Sequence, residues 1–273
     1  MPTIRRRLLA AAAALSVGAA VAATPTLTAF AADAPAPAGQ ESKAFSDLQT
    51  REIETIIHQY LVTHPEVLQE AYVALKKREE ADAAKQQKEI IASQSDLLFN
   101  SKHQVVLGNP KGDVTMVEFF DYNCGYCRRA VADTFKLIEA DPKLRVVLKE
   151  YPILSQGSVE AAQVAIAIKD VAPDRYADFH RAMFETDGPA DRARALAVAE
   201  KLGLPMDKIK AAMKGPDVAA TLEETHNLAD LLQISGTPSY VIADSVMPGA
   251  VGYDALKQQV DTVRHCGGTT SSC

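Results

Sequence analysis

The residues with the clearest chemical potential are Cys124-Gly125-Tyr126-Cys127. The chain has 273 residues and only four cysteines, Cys124, Cys127, Cys266 and Cys273, too few for a disulfide scaffold. The first two stand at i and i+3, where an apolar strand-like run, Val114 to Phe120, gives way to a helical pattern, Cys124 to Glu139. That junction suits thiol chemistry. A thiolate, not a thiol, attacks a disulfide. The free N–H groups and dipole at a helix N-terminus favour an anion on Cys124. One turn of helix keeps Cys127 within bonding reach, so the pair can close and reopen. Cys124 is expected to be the exposed attacker and Cys127 the buried resolving thiol. Arg128 and Arg129 either add positive potential or are simply solvated. A structural zinc would need four ligands. No second C-x-x-C is present, and no histidine lies within twenty residues of Cys124. No metal and no cofactor are therefore expected at the dithiol.

Three further groups carry chemical potential. Glu118 stands six residues before Cys124 in the middle of an apolar run. Buried there, its carboxyl would hold its proton more tightly than usual and could relay the proton of Cys127; at a strand edge it would only face water. Lys149 and Glu150, on the next strand, could tune it, although a surface pair is the plainer expectation. Pro238 follows Gly236-Thr237 at the start of a strand, where a sharp entry suits proline; cis bonds occur essentially only before proline, and an ordinary trans turn proline is the alternative. The backbone at Thr237 could then pair with an extended peptide by strand addition. Finally, His265-Cys266 and Cys273 could chelate Cu(I), form a tail disulfide, or remain idle thiols.

Positioning these residues requires the following elements. Gln104 to Gly108 reads as a short strand, Val114 to Phe120 as a buried strand, Cys124 to Glu139 as a helix and Arg145 to Ile153 as a strand, making a β-α-β unit. Residues 158–234 are helical, with Tyr176, Phe179 and Met183 on one face. A strand at Ser239 to Ala243, a hairpin partner at Val246 to Val251 and a helix at Asp254 to Arg264 close the chain. Ahead of this core, Ile53, Ile56, Ile57, Tyr60 and Leu61 share one face of a helix beginning at Ser46. A second helix runs from Pro65 to about Ser95, about 45 Å at the standard rise. Its charged middle cannot supply a core of its own, so it either folds back as a hairpin on the following domain or meets copies of itself. Self-association through residues 46–95 is the expectation, because the apolar face of so short a segment needs cover.

Residues 1–31 read as an export signal, with Arg5, Arg6 and Arg7 before an apolar stretch and a small-x-small site at Ala29-Phe30-Ala31. Its removal takes the net charge from −6 to −9. An acidic chain gives no support to a nucleic-acid partner. Export implies an oxidising compartment.

The segment from Val117 to Cys127, together with Gly236-Thr237-Pro238 and the helical block between them, resembles the DsbA-like thioredoxin-fold oxidoreductases. The resemblance implies an α/β thioredoxin fold with an inserted helical domain, preceded here by an N-terminal helical stalk. On that reading the chain divides into a signal (1–31), a linker (32–45), a helical oligomerisation segment (46–97), a thioredoxin domain (101–266, with insertion 158–234) and a tail (267–273). It implies Cys124 as nucleophile, Cys127 as resolving cysteine and Pro238 as the cis-proline facing them.

The Gly-Tyr dipeptide and Thr237 resemble the DsbC-type isomerases, and the N-terminal segment resembles the stalk of ScsC-type proteins. The resulting expectation is a periplasmic disulfide isomerase or reductase acting on cysteine-containing exported proteins, kept reduced by a membrane reductase. The alternatives are a monomeric DsbA-type oxidase recharged by a quinone-linked membrane protein and, from another class, a copper-binding tolerance protein or a chaperone.

Overall fold

A computed structural model describes residues 45–269, so the proposed signal and Cys273 lie outside the described residues. The described chain falls into two compact units, divided between Pro65 and Glu66.

Among the described residues, the first unit holds helix α1, Asp47–Thr63. Ser46 caps it: its side chain accepts from the backbone of Gln49, whose own side chain accepts from the Ser46 N–H. Such reciprocal capping satisfies two N–H groups that a helix end leaves without partners. None of the α1 residues is buried, and Ile53, Ile56, Ile57 and Tyr60 lie exposed along one side.

The second unit opens with α2, Glu66–Ser93, and the short α3, Ser95–Phe99. A five-stranded sheet follows, ordered β1-β3-β2-β4-β5. Its strands are β1 (Val105–Gly108), β2 (Val114–Phe120), β3 (Leu144–Glu150), β4 (Ser239–Ile242) and β5 (Ser245–Pro248). Only β2 and β3 pair in parallel, joined through α4, Gly125–Ala140. The hairpin partner β5 is shorter than the Val246 to Val251 expected, because Gly249 turns away at positive φ. The inserted helices are α5 (Gln156–Val171), α6 (Tyr176–Glu185), α7 (Arg192–Lys201), α8 (Met206–Ala212) and α9 (Pro216–Leu231); α10, Tyr253–His265, packs beside α4.

Strand alternation divides the core in two. Met116, Phe120, Val146 and Leu148 join one cluster with Tyr176, Phe179 and Met183 of α6. Val117, Phe119, Val147 and Val241 join another with Ile91 of α2, Leu98 of α3, and Leu228 and Leu232 at the end of α9. The last turns of α2, within the segment 46–97 read as a stalk, therefore pack against the sheet. Each large side chain fully withdrawn from water in these layers contributes about 1.5–3 kcal/mol.

Candidate active site

Strand β2 ends at Phe120 and α4 begins at Gly125, so the four residues between them set the dithiol in place. Asp121 shapes this turn. Its carboxylate accepts the Asn123 N–H at 2.7 Å and the N–H groups of Ile153 and Leu154 at 2.9 and 3.0 Å. Cys124 is the N-cap of α4, and its Sγ accepts the Cys127 N–H at 3.4 Å. The sulfur thus sits at the N-terminal end of the helix, with one N–H of its first turn pointing at it.

Across a short gap the thiol of Cys124 donates to the Thr237 carbonyl at 3.1 Å. The peptide from Thr237 to Pro238 is cis. Thr237 and Pro238, more than a hundred positions from the dithiol in sequence, are therefore brought to it by the pairing of β4 with β2. The loop that carries them is anchored by the Tyr151 hydroxyl, which donates to the Ile234 carbonyl at 3.0 Å, and by Ser239 Oγ, which donates to the Gly236 carbonyl at 2.7 Å. A cavity of about 550 Å³ opens beside it, lined by Tyr126, Ile234, Thr237, Pro238, Val246 and Pro248 among others, with no ionisable acid or base in its wall apart from the Tyr126 phenol.

The expected exposed attacker is corrected. Cys124 is itself buried, at 6% exposure, although less deeply than Cys127 at 1%. The Thr237 loop covers it, while Gly125 and Tyr126 stand out in solvent. Burial pushes the Cys127 thiol well above its ordinary range; Cys124 and Glu118 add to this, and a backbone hydrogen bond at Asp121 and the Thr237 hydroxyl partly offset it. That hydroxyl is buried and otherwise lacks a partner.

Of the two expectations for Glu118, the structure gives the buried one. The residue sits in central strand β2 between Leu148 and Tyr240, 2% exposed, and accepts the Thr134 hydroxyl at 2.8 Å. Desolvation pushes its carboxyl up to about 7, with the Thr134 hydrogen bond pulling the other way.

Lys149 and Glu150 are neither a surface pair nor partners of Glu118. Because β3 lies inside the sheet, both are buried, and alternation sends them to opposite faces. Lys149 donates to Glu224 of α9 at 2.9 Å and to the Leu97 carbonyl at 2.6 Å. Glu150 accepts the Tyr176 hydroxyl at 2.6 Å, and burial pushes its carboxyl well up. Arg128 is not merely solvated: it donates to the carbonyls of Phe184 and Thr186 at 2.6 and 3.0 Å. Arg129 stacks over the Tyr126 ring. Cys266 is held in a disulfide and offers no free thiol, while Cys124 and Cys127 are both free. Among the described residues no group of three His, Cys, Asp or Glu side chains is placed to hold a metal ion.

Thr134, Tyr151 and Tyr240 also bear on the site, through contacts that no local spacing announces: Thr134 donates to Glu118, Tyr151 holds the Ile234 carbonyl, and Tyr240 of β4 lies opposite Glu118 of β2.

Residues 115–261, just over half of the chain, match the DSBA-like thioredoxin domain. The chain belongs to the DsbA-like thioredoxin-domain family. A second match, to the copper resistance protein ScsC N-terminal domain, covers residues 49–82. A solved thioredoxin-like oxidoreductase from Silicibacter pomeroyi is 43% identical, covers 62% of this chain and 97% of its own, and superposes with a TM-score of 0.60. A linker-deletion mutant of Proteus mirabilis ScsC is 27% identical with a TM-score of 0.61, covering 82% of this chain and 99% of its own. Disulfide bond formation protein D of Bacillus subtilis is 26% identical over 172 residues, 59% of this chain and 77% of that protein. The Na(+)/H(+) antiporter NhaA 1 of Salinispora arenicola is 28% identical over 157 residues, and the match spans 57% of this chain but only 24% of the antiporter's length. These matches fit the fold expected from the sequence, a thioredoxin domain with inserted helices preceded by an N-terminal helical segment. No described helix is long and apolar enough to cross a membrane.

Proposed function

We propose that this protein is an exported thiol:disulfide oxidoreductase that works as a disulfide isomerase or reductase on cysteine-containing proteins. The observation that carries this reading is the meeting of the Cys124 sulfur with the Thr237 carbonyl beside cis Pro238, two residues that also line a neighbouring cavity. A nucleophile on a helix N-terminus thereby lies next to backbone groups that an extended peptide can pair with.

The chemistry runs in two steps. The Cys124 thiolate attacks one sulfur of a substrate disulfide; the other substrate sulfur leaves as a thiolate and takes up a proton. The mixed disulfide then has two exits. If a second substrate thiol attacks it, a new substrate disulfide forms and Cys124 is returned, which is isomerisation. If Cys127 attacks Cys124 Sγ, the enzyme pair closes and the substrate leaves as a thiol, so the substrate has gained two electrons and the dithiol has lost them. Cys127 holds its proton tightly, and Glu118 is the group that accepts it.

Direction is supported by Gly125-Tyr126, which puts no positive charge between the cysteines, and by the match to the ScsC N-terminal domain over α1 and part of α2. Self-association through residues 46–95 would bring several dithiols to one substrate and raise their effective concentration. Exported to the periplasm, such a protein needs a membrane reductase to keep Cys124 reduced.

The test is refolding of scrambled ribonuclease by the chain lacking residues 1–31. Activity is expected for the wild type and abolished by Cys124→Ser. Rapid oxidation of reduced ribonuclease without reshuffling of the scrambled form would instead establish the oxidase reading.

A further inference from the structure

The residue immediately before the dithiol makes contacts that the exchange chemistry does not call for. Asn123 Nδ2 donates to the Ala190 carbonyl at 2.8 Å, and Asn123 Oδ1 accepts the Ala190 N–H at 2.7 Å. One side-chain amide thus pairs both ways with a single residue of the loop between α6 and α7. The same Nδ2 lies 3.0 Å from Ser158 Oγ and 3.3 Å from Ser155 Oγ, and Ser155 is the N-cap of α5. Two helix starts, that of α4 and that of α5, therefore meet on a single side chain.

The space for this meeting is made by Gly157. A Cβ placed there would stand 2.6 Å from the Ala190 carbonyl oxygen, a backbone atom with no freedom to swing aside. Glycine early in α5 costs helix stability relative to alanine. Here it is required by the close approach of the loop. On the other side of the dithiol, Arg128 holds the Phe184 and Thr186 carbonyls, near the start of the same loop. The insertion is thus fastened to the chain on both flanks of Cys124 and Cys127.

We propose that Asn123 is a positioning residue for disulfide exchange, locking Cys124 to the helical insertion through the Ala190 backbone. It touches no reacting atom. Its effect is to hold the start of α4 so that the Cys124 sulfur meets the substrate disulfide in line, and small misplacements of a reacting atom are costly. This inference rests on the exchange reading given above. The substrate side of the site, around Thr237 and Pro238, belongs to a different loop and is untouched by the clamp.

The experiment is steady-state turnover of a self-quenched disulfide peptide, with dithiothreitol as reductant, by the wild type, Asn123→Ala, Gly157→Ala and the double variant. Gly157→Ala works from the far side of the clamp by pushing on the Ala190 carbonyl, and it keeps the test open should Asn123→Ala fail to fold. Each single variant is expected to lose about tenfold in kcat while KM stays within about twofold. The double variant is expected to be no worse than the poorer single one, because both break the same contact. A purely structural role predicts lower melting temperatures with unchanged kcat in the molecules that remain folded. That result overturns the proposal, as do losses that multiply in the double variant. A wild type that fails to turn over the peptide refutes the exchange reading instead. The clamp is then read from the alkylation rate of Cys124 by iodoacetamide. Both single variants are expected to change that rate by about threefold or more, and unchanged rates overturn the proposal.

Discussion

Replacing Glu118 by glutamine should make the protein more stable and its resolving step slower. The carboxyl is 2% exposed in the central strand, and desolvation moves its pKa from 4.5 to about 7. An acid whose folded pKa is raised binds its proton more tightly in the folded chain than in the unfolded one. Stability is then undiminished below pH 4.5, falls as pH rises between 4.5 and about 7, and is level above that. At 1.36 kcal/mol per unit, the full penalty is about 3 kcal/mol at pH 8 and about 1 kcal/mol at pH 5. Glutamine keeps an acceptor for the Thr134 hydroxyl and has no charge to bury. The variant should therefore gain about 3 kcal/mol at pH 8 but only about 1 kcal/mol at pH 5. Urea unfolding at the two pH values reads this directly. The same substitution removes the proposed proton acceptor for Cys127. In the wild type, release of a preformed mixed disulfide at Cys124 should accelerate with an inflection near pH 7. The variant should release slowly with no inflection there. Equal stability of the two proteins at pH 8, or an inflection retained by the variant, would refute the reasoning.

Two further outcomes follow from the packing. Glu224→Gln leaves the fully buried Lys149 ammonium without its carboxylate, and thermodynamic stability should fall by about 3 kcal/mol; Lys149→Met combined with Glu224→Leu should recover most of it, as measured by urea unfolding. Deleting α1 by starting the chain at Glu66 removes the exposed Ile53, Ile56, Ile57 and Tyr60 but keeps Ile91 in the core, so sedimentation should show smaller assemblies than the chain starting at residue 46, with the dithiol domain still folded. Identical sedimentation of the two chains would remove α1 from the oligomerisation reading.

The element order was legible because the determinants are local. Alternating or continuous apolar runs specify strands, the 3.6-residue stripe specifies the helix faces of α1 and α6, and a C-x-x-C at a strand-to-helix junction needs nothing beyond its neighbours in sequence. Strand β5 stops short of its apolar run because Gly249 ends it by its backbone conformation, which apolar content does not report.

What the sequence could not decide is where charged and polar side chains end up. Glu118, Lys149 and Glu150 all fall in short apolar runs, and their fates differ because strand order and alternation, not residue type, assign their faces. With β3 between β1 and β2, Lys149 goes to α9 and Glu150 to α6; with β2 between β3 and β4, Glu118 goes to Thr134. The depth of Cys124 and its meeting with Thr237 likewise depend on a strand pairing that spans more than a hundred residues. The types and spacing of the residues determined that this chain carries a dithiol on a helix start. Only the folded sheet decided which carboxyl lies near it, which carbonyl covers it and which loop holds it in place, because those are contacts between distant segments that no local pattern encodes.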